Sequence, residues 1–204
     1  MNMNLTKYLL YILGMVLSLN SCSFSQTKTN IIMKDNTEMK EIYFAGGCFW
    51  GTEHFLKLIR GVKETQVGYA NGNFANPTYK EVCYGDTGFA ETVKVTYNPN
   101  AVSLELLIDL FLQTIDPTSL NKQGGDIGTQ YRTGIYYIDE KDLPIIEKKI
   151  VVISKEYDKP IVVEVLPLKN FYDAELYHQD YLDKNRGGNC HIGKDLFDLA
   201  KKAN

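Results

Sequence analysis

The chain has 204 residues and a formal net charge of −3 at pH 7, from 22 basic and 25 acidic side chains. Hydrophobic residues make up 44% of it, which excludes disorder for most of the chain, and the acidic balance argues against a nucleic-acid-binding protein. Four cysteines are too few for a disulfide scaffold. The longest apolar run, Tyr8 to Leu19, is shorter than the stretch of about 20 residues that spans a bilayer. We therefore expect one folded domain, or at most two small ones.

The N-terminus has the features of a secretory leader. A single lysine precedes the apolar run, which closes with Leu19-Asn20-Ser21-Cys22. This ending resembles the lipobox of bacterial lipoproteins, in which the leader is cut before the cysteine and the cysteine is acylated. We expect cleavage of residues 1–21, a lipid on Cys22, a polar tether at 22–39 and a domain at 40–204. A leader cut at another site, or kept as an apolar anchor, is the alternative.

Within the domain, the hydrophobic pattern predicts strands and helices that alternate along the chain. Strands are predicted at 41–45, 62–70, 92–97, 134–138 and 161–165, and helices at 48–59, 104–113 and 140–156. Two further segments, 71–90 and 116–133, are predicted to be long loops that carry functional residues. This order predicts an α+β fold: a two-layer sandwich of a mixed or antiparallel sheet with packed helices, a ferredoxin-like βαββαβ core and a long irregular C-terminal segment.

The junction of the first strand and first helix carries a candidate nucleophile. Two glycines end the strand, and Cys48 begins the helix. Backbone N–H groups and the helix dipole at such a position favour the thiolate, which is the nucleophilic form of cysteine. Phe49 and Trp50, the only tryptophan of the chain, follow directly and can wall a small apolar pocket. A buried structural cysteine among core aromatics explains the same residues, so both interpretations stay open here.

Three other segments combine glycine with groups that can take part in catalysis: 76–91, 124–132 and 177–190. Tyr79 and Tyr131 can donate hydrogen bonds, and Glu91 or Asp126 can supply a proton if burial raises its pKa. Cys190 follows a Gly-Gly pair, and a thiol on such an arm can close a disulfide with another thiol. Taken singly, each residue also fits ordinary packing or a solvated surface.

Together these segments resemble the peptide methionine sulfoxide reductase A family. The resemblance is carried by GGCFWG at 46–51, GYANGNFANPTYKEVCYGDTGFAE at 68–91, GTQYR at 128–132 and HQDYLDKN at 178–185. It covers about residues 41–193 of the chain. The resemblance implies an oxidoreductase that reduces the S epimer of methionine sulfoxide, free or in proteins, and so repairs oxidised proteins.

The resemblance also implies a role for each polar candidate. Cys48 attacks the sulfoxide sulfur and becomes a sulfenic acid, and Glu91 protonates the sulfoxide oxygen. Tyr79 and Tyr131 hold that oxygen, and Asp126 orders water near it.

Further implied roles concern the substrate methyl group and the recovery of the enzyme. Phe49 and Trp50 take the methyl group, and Cys190 resolves the sulfenic acid as a disulfide with Cys48. A thioredoxin-like dithiol, or dithiothreitol in vitro, then reduces the disulfide, and no metal or organic cofactor is needed. We expect a monomer, because nothing indicates a large apolar dimer face.

The sequence departs from the commonest family pattern at two positions: Phe89 and Ile127 stand where many members have histidine. Neither change removes a group that performs chemistry. Cys83 matches a cysteine of the family's EVC block, and we interpret it as structural. The chain has no cysteine after Cys190, so resolution in one step is the simpler hypothesis.

Two other classes of function compete with the reductase. One is another thiol enzyme, a peroxidase or a disulfide oxidoreductase, although no CxxC motif is present. The other is a lipoprotein that captures an oxidised ligand without turnover. For the reductase, the leader predicts a location in the cell envelope, lipid-anchored or secreted, where reducing equivalents must arrive through a membrane-coupled thiol relay or a periplasmic thioredoxin-like protein.

Overall fold

The computed structural model describes residues 38–185, 187–188 and 190–203. The predicted leader, the lipidation site Cys22 and nearly all of the predicted tether lie outside the described residues. Within the described part of the chain, no helix is long and apolar enough to cross a membrane.

The largest sheet has six strands, in the order β7-β6-β1-β3-β2-β8. Its strands are β1 (Lys40–Gly46), β2 (Val62–Ala70), β3 (Ala90–Tyr97), β6 (Thr133–Tyr137), β7 (Glu164–Pro167) and β8 (Phe171–Asp173). A separate pair consists of β4 (Lys122–Gln123) and β5 (Asp126–Ile127). All neighbours in the large sheet are antiparallel except β6 and β7, which are parallel. The mixed sheet with packed helices confirms the predicted α+β class.

Six α-helices connect or follow these strands in the described residues. They are α1 (Phe49–Lys57), α2 (Tyr79–Tyr84), α3 (Leu104–Leu112), α4 (Leu143–Ile153), α5 (Tyr181–Lys184) and α6 (Lys194–Lys202). Short 3₁₀ turns lie at Thr129–Tyr131, Glu140–Asp142 and Ser154–Glu156. The predicted helix at 140–156 therefore forms as α4 between two such turns.

The central strands are buried on both faces. Because side chains alternate along a strand, Ile42 and Phe44 of β1 enter the large core that includes the buried residues of α1 and α3. Tyr43 and Ala45 point to the opposite face and pack in a second, smaller cluster with Tyr136. This double burial holds the end of β1, where the GGCFWG run begins, in a fixed place.

A tight turn joins β1 to α1. Gly47 has φ +82°, a backbone conformation that glycine adopts without steric cost. A side chain here would also meet Gln123, whose Cβ lies 2.5 Å from the position of an added Cβ. Glycine at position 47 is therefore required both by the backbone and by the close approach of the β4 strand.

One predicted loop contains a helix instead. Segment 71–90 was expected to be irregular, but α2 forms inside it, because Thr78 and Glu81 make a capping box. The Thr78 side chain accepts from the Glu81 N–H, and the Glu81 carboxylate accepts from the Thr78 N–H at 2.8 Å. The T-x-x-E spacing is a known helix-start signal, so the sequence did contain the information.

Two strands near the C-terminal part differ from the prediction. The strand expected at 161–165 begins only at Glu164, because the Val162 N–H donates to the carbonyl of Pro117 in a loop and not to a strand. Strand β8 was not predicted. It is three residues long and is held by its pairing with β2, which no local pattern reports.

Candidate active site

Cys48 lies between β1 and α1, as the residue that precedes the first turn of the helix. The N–H of Trp50 donates to its sulfur and lowers the pKa of the thiol. Burial, followed by the negative charge of Glu91, acts in the opposite direction and raises the pKa of Cys48 well above its usual range. In the free protein, desolvation therefore outweighs the helix end and opposes the thiolate that the helix terminus favours.

Glu91 is brought to Cys48 by strand β3. It is 1% exposed, and its Oε2 accepts a hydrogen bond from the N–H of Phe49 at 3.1 Å. Burial raises the pKa of Glu91 to about 8, so the carboxyl is largely protonated at neutral pH. Since Oε2 is an acceptor, the proton belongs on Oε1, which has no hydrogen-bond partner among the described residues. Glu91 can therefore give a proton to a group that enters the site.

The other polar candidates surround the same point. Tyr79 is the first residue of α2, and Tyr131 ends the 3₁₀ turn after β5. Burial is the main cause that raises the pKa of both hydroxyls, and the Glu91 charge adds to it, so both remain hydrogen-bond donors at neutral pH. Asp126 acts electrostatically on Cys48, Glu91 and Tyr131. The structure thus brings the predicted polar residues together from four distant segments.

An aromatic cluster borders the thiol. The Trp50 ring stacks on Tyr181 with centroids 3.7 Å apart, and its Nε1 donates to His178 Nδ1 at 3.0 Å. The His178 ring also packs against Phe49 at 5.1 Å and Tyr79 at 4.4 Å. Phe49 and Trp50 therefore belong to a larger wall that the residues after β8 complete.

His178 is neutral within this wall. The indole N–H is only a donor, so Nδ1 of His178 carries a lone pair and the proton sits on Nε2. Burial lowers the pKa of His178, and its side chain is 1% exposed. The wall consequently presents no imidazolium charge to a ligand at neutral pH.

Cys190 lies against the first turn of α1. Its sulfur occupies the space that a side chain at Gly51 would fill, and it accepts from the N–H of Ile192 at 3.3 Å. Cys48 and Cys190 are both free thiols, and Cys190 contributes to the raised pKa of Cys48. The second thiol is therefore near the first, packed against the helix that Cys48 precedes.

Two residues that support the site were missed by sequence reasoning. Arg132 donates to Glu164 Oε2 at 3.0 Å and to the Gly88 carbonyl at 2.9 Å, so it ties the turn of Tyr131 to the segment before Glu91. The GTQYR run contains Arg132 but gives no indication of its role, because its partners are distant in sequence.

Glu175 is the second missed residue, and no motif indicated it. Its carboxylate accepts from the Tyr69 hydroxyl at 2.8 Å and from the Tyr79 N–H at 2.9 Å. It therefore fixes the start of α2, and with it the position of the Tyr79 hydroxyl. Cys83, one turn later on α2, accepts a hydrogen bond from that hydroxyl.

The two departures from the family pattern occupy different environments. Phe89 is 1% exposed and packs on Phe74 and Tyr172, so it is part of the core. Ile127 is 73% exposed on β5. In the described hydrogen bonds, neither Phe89 nor Ile127 contacts Cys48 or Glu91.

A thiol, a buried neutral carboxyl and two tyrosine hydroxyls beside an aromatic wall define a thiol-dependent oxidoreductase site. Among the residues that the structure describes, no group of three or more His, Cys, Asp or Glu side chains is arranged to hold a metal ion.

Comparisons with known proteins agree with a thiol-dependent oxidoreductase and show its family. The family model for peptide methionine sulfoxide reductase matches residues 40–203. The chain is 60% identical over 164 residues to peptide methionine sulfoxide reductase MsrA of Lachnoclostridium phytofermentans, which covers 80% of this chain and 99% of that protein. It is 54% identical over 157 residues to MsrA of Mycoplasma pneumoniae, which covers 77% and 100%.

Solved structures give the same result. Mxr1 of Saccharomyces cerevisiae in reduced form is 42% identical with a TM-score of 0.73, covering 78% of this chain and 93% of that one. Methionine sulfoxide reductase A of Corynebacterium diphtheriae is 34% identical with a TM-score of 0.66, covering 76% and 84%. The chain belongs to the peptide methionine sulfoxide reductase family. The chain is an oxidoreductase, so the alternative interpretation as a lipoprotein that captures an oxidised ligand without turnover is set aside.

Proposed function

We propose that Cys48 is the nucleophile and Glu91 the proton donor in the reduction of methionine S-sulfoxide to methionine. The observation that carries this assignment is the buried Glu91 carboxyl beside the thiol, protonated at neutral pH and with Oε1 unpartnered among the described residues. Protonation of the sulfoxide oxygen makes the sulfur electrophilic at the moment when the cysteine sulfur attacks it.

The first step moves one oxygen atom and two electrons. The Cys48 sulfur bonds to the sulfoxide sulfur while the sulfoxide oxygen takes the proton of Glu91. The sulfur–oxygen bond of the substrate and the new sulfur–sulfur bond then break, and the hydroxyl group passes to the Cys48 sulfur. The products are methionine and the sulfenic acid of Cys48, so the cysteine is oxidised by two electrons and the substrate is reduced by two. The proton of the Cys48 thiol returns Glu91 to its neutral form.

Four other residues bind the substrate in this proposal. Tyr79 and Tyr131 donate hydrogen bonds to the sulfoxide oxygen, which their protonated hydroxyls near Glu91 support. Phe49 and Trp50 receive the methyl group, because they line the apolar side of the site. Asp126 orders water close to the reacting groups.

The second step regenerates the enzyme. The Cys190 sulfur attacks the sulfenic sulfur of Cys48, water leaves and a disulfide forms, which a thioredoxin-like dithiol then reduces. The packing of Cys190 on α1 supports this pairing. A solved structure of Mxr1 from Saccharomyces cerevisiae in complex with Trx2, 30% identical with a TM-score of 0.52 and covering 74% of this chain and 91% of that one, supports the electron donor.

The test is turnover of dansylated methionine S-sulfoxide with dithiothreitol by the purified protein. We expect no methionine from Cys48→Ser, and a loss of about 10²- to 10⁴-fold in kcat/KM for Glu91→Gln, because glutamine fills the same space without an acidic proton. Cys190→Ser is expected to work with dithiothreitol and to fail with a thioredoxin donor. A folded, reduced wild type that does not turn over would contradict the proposal.

We also propose that the enzyme acts in the cell envelope as a lipid-anchored monomer, with residues 1–21 as leader, residues 22–39 as tether and 40–204 as the catalytic domain. The apolar run and the Leu-Asn-Ser-Cys ending support this. Labelled palmitate is expected to enter the wild type and not Cys22→Ser in a bacterial host. Labelling of neither, with the leader intact, would overturn the anchor.

A ferredoxin-like unit within the sheet is a further proposal about the fold. The order β6-β1-β3-β2 with antiparallel neighbours supports it, as do α1 between β1 and β2 and α3 between β3 and β6. A four-stranded unit of this order places the end of β1 at the centre, beside β3 and its Glu91.

A further inference from the structure

One face of α1 holds a segment that follows β8. Residues spaced three, four and seven positions apart share a helix face, and this spacing joins Trp50, Glu53, His54 and Lys57. All four contact residues 178–183, which we call the strap. The contacts are Trp50 with His178 and Tyr181, Glu53 with Asp180, His54 with Asp183, and Lys57 with Asp180 and Asp183.

Glu53 is the buried member of this face. It is 2% exposed, whereas Lys57 and His54 retain about a quarter of their side-chain surface. Its Oε2 accepts a hydrogen bond from the backbone N–H of Asp180 at 2.8 Å. Burying a carboxylate costs free energy unless hydrogen bonds compensate it, so the bond from Asp180 is what makes this depth of burial possible.

The bond from Asp180 lies at a strained point of the strap. Asp180 has φ 54° and ψ 34°, the left-handed conformation that a residue with a side chain rarely adopts. Such a conformation persists where surrounding contacts hold it. Glu53 holds the backbone N–H, and Lys57 binds the carboxylate of the same residue.

The turn at Asp180 sets the aromatic wall. His178 and Tyr181 flank it, and they contact Trp50 from two directions, through the 3.0 Å Nε1–Nδ1 bond and the 3.7 Å ring stack. Removing the left-handed turn therefore moves both partners of Trp50 together, although Glu53 itself touches neither ring in the described contacts.

The charges around Glu53 do not alter this function. Burial first, and then the charge of Asp180, raise the pKa of Glu53 to about 7, while Lys57 lowers it. Asp183 raises it further, and His54 lies beside Asp183 with Nδ1 2.9 Å from Oδ1. In either protonation state Oε2 can accept from the Asp180 N–H, so what is required is an acceptor at this position.

We propose that Glu53 is a positioning residue: by holding the backbone of Asp180, it fixes the strap so that His178 and Tyr181 keep Trp50 oriented toward the methyl group of the substrate. This inference rests on the proposed function, in which Trp50 receives that methyl group. Glu53 acts through the strap and makes no contact with the reacting atoms.

The test compares Glu53→Gln with Glu53→Asp and Glu53→Ala in the full chain. Glutamine keeps an acceptor at the same reach, whereas aspartate is one methylene too short. We expect Glu53→Asp and Glu53→Ala to lower kcat/KM for dansylated methionine S-sulfoxide about tenfold, mainly through KM, and Glu53→Gln to stay within about twofold of wild type. The rate of Cys48–Cys190 disulfide formation after one turnover is expected to stay unchanged.

Fluorescence supplies a readout that activity does not. Trp50 is the only tryptophan of the chain, so its emission reports the Tyr181 stack and the His178 bond directly. The emission spectrum is expected to shift in Glu53→Asp and Glu53→Ala and to match wild type in Glu53→Gln. Asp180→Asn separates the two contacts at the turn: it keeps the N–H and tolerates the left-handed conformation but removes the charge that binds Lys57. Because the bond from the N–H to Glu53 remains, we expect smaller changes in emission and KM than in Glu53→Asp.

The outcomes separate the two proposals. A wild type without turnover contradicts the proposed function, while the fluorescence comparison still tests Glu53. An active wild type whose KM and emission are shared by folded Glu53→Asp overturns the positioning role. The same conclusion follows if Glu53→Gln is as impaired as Glu53→Asp. If Glu53→Ala fails to fold by circular dichroism, the Asp and Gln variants decide.

Discussion

Glu91 combines deep burial with a free carboxyl oxygen, and this combination sets its protonation state. In the unfolded chain a glutamate has a pKa of about 4.3, whereas burial raises the pKa of Glu91 to about 8 in the folded protein. Between these two values the folded state holds a proton that the unfolded state has lost. The proton donor is thus maintained at the expense of stability at higher pH.

This difference in pKa makes the stability of the protein depend on pH. As pH rises from about 4.3 to about 8, the contribution of Glu91 to the unfolding free energy is lost, by roughly 3–5 kcal/mol. Glu91→Gln does not titrate, so the stability of wild type relative to this variant is expected to fall over the same range. Urea unfolding of both proteins at pH 5 and pH 8 measures it. A difference that does not change with pH would contradict a raised pKa for Glu91.

At the scale of elements, α1 organises the site. Its first turn carries Phe49 and Trp50, its N–H groups contact the Cys48 sulfur and Glu91, and its outer face holds the strap. Gly51 in the same turn leaves space that the Cys190 sulfur fills. The GGCFWG run therefore positions both thiols.

Gly51→Ala tests this arrangement. The added methyl group takes the place of the Cys190 sulfur, so the second thiol must move away from α1. We expect one equivalent of methionine per enzyme without reductant, as in wild type, but at least about tenfold slower disulfide formation, since reaction rates depend steeply on position. Mass spectrometry after trapping with dimedone distinguishes the sulfenic acid from the disulfide. Disulfide formation at the wild-type rate would contradict this placement of Cys190.

On the scale of the whole molecule, the C-terminal part packs on α1 and places the second thiol beside the site. The Phe197 ring of α6 lies edge-on to His54 with centroids 4.9 Å apart, and Ala200 is fully buried. Ile192, between Cys190 and α6, is 4% exposed and packs near Gly51. Helix α6 therefore anchors the segment that carries the second thiol.

Removal of residues 194–204 is expected to loosen that anchor. The first turnover with methionine S-sulfoxide does not use α6 and is predicted to keep its wild-type rate. Turnover with a thioredoxin donor is predicted to fall, because Cys190 no longer stays against α1. Single-turnover and steady-state rates of the truncated protein, with circular dichroism to check folding, measure both. Equal steady-state rates would show that α6 has no such role.

Features that depend only on neighbouring residues could be predicted without the structure. The strand ending in two glycines, the cysteine that follows and the T-x-x-E cap all depend on neighbours in the chain, and each lies where the sequence indicates. Helix α3 likewise begins with a local cap, because the Ser103 side chain accepts from the Leu106 N–H at 3.2 Å. Such features are determined by backbone sterics and hydrogen bonds within a few residues.

The protonation states and supporting contacts were decided by tertiary structure alone. A helix terminus predicts a thiolate at Cys48, but burial beside Glu91 reverses that effect, and burial depends on strands from the whole chain. Arg132, Glu175 and Glu53 each bind a partner that is distant in sequence, 44, 106 and 127 positions away respectively, so no local pattern contains these contacts. The sequence by itself determined which reactive groups are present and to which family the chain belongs. Packing decided the charge of those groups and which residues bind and position them, because both depend on parts of the chain that are distant in sequence.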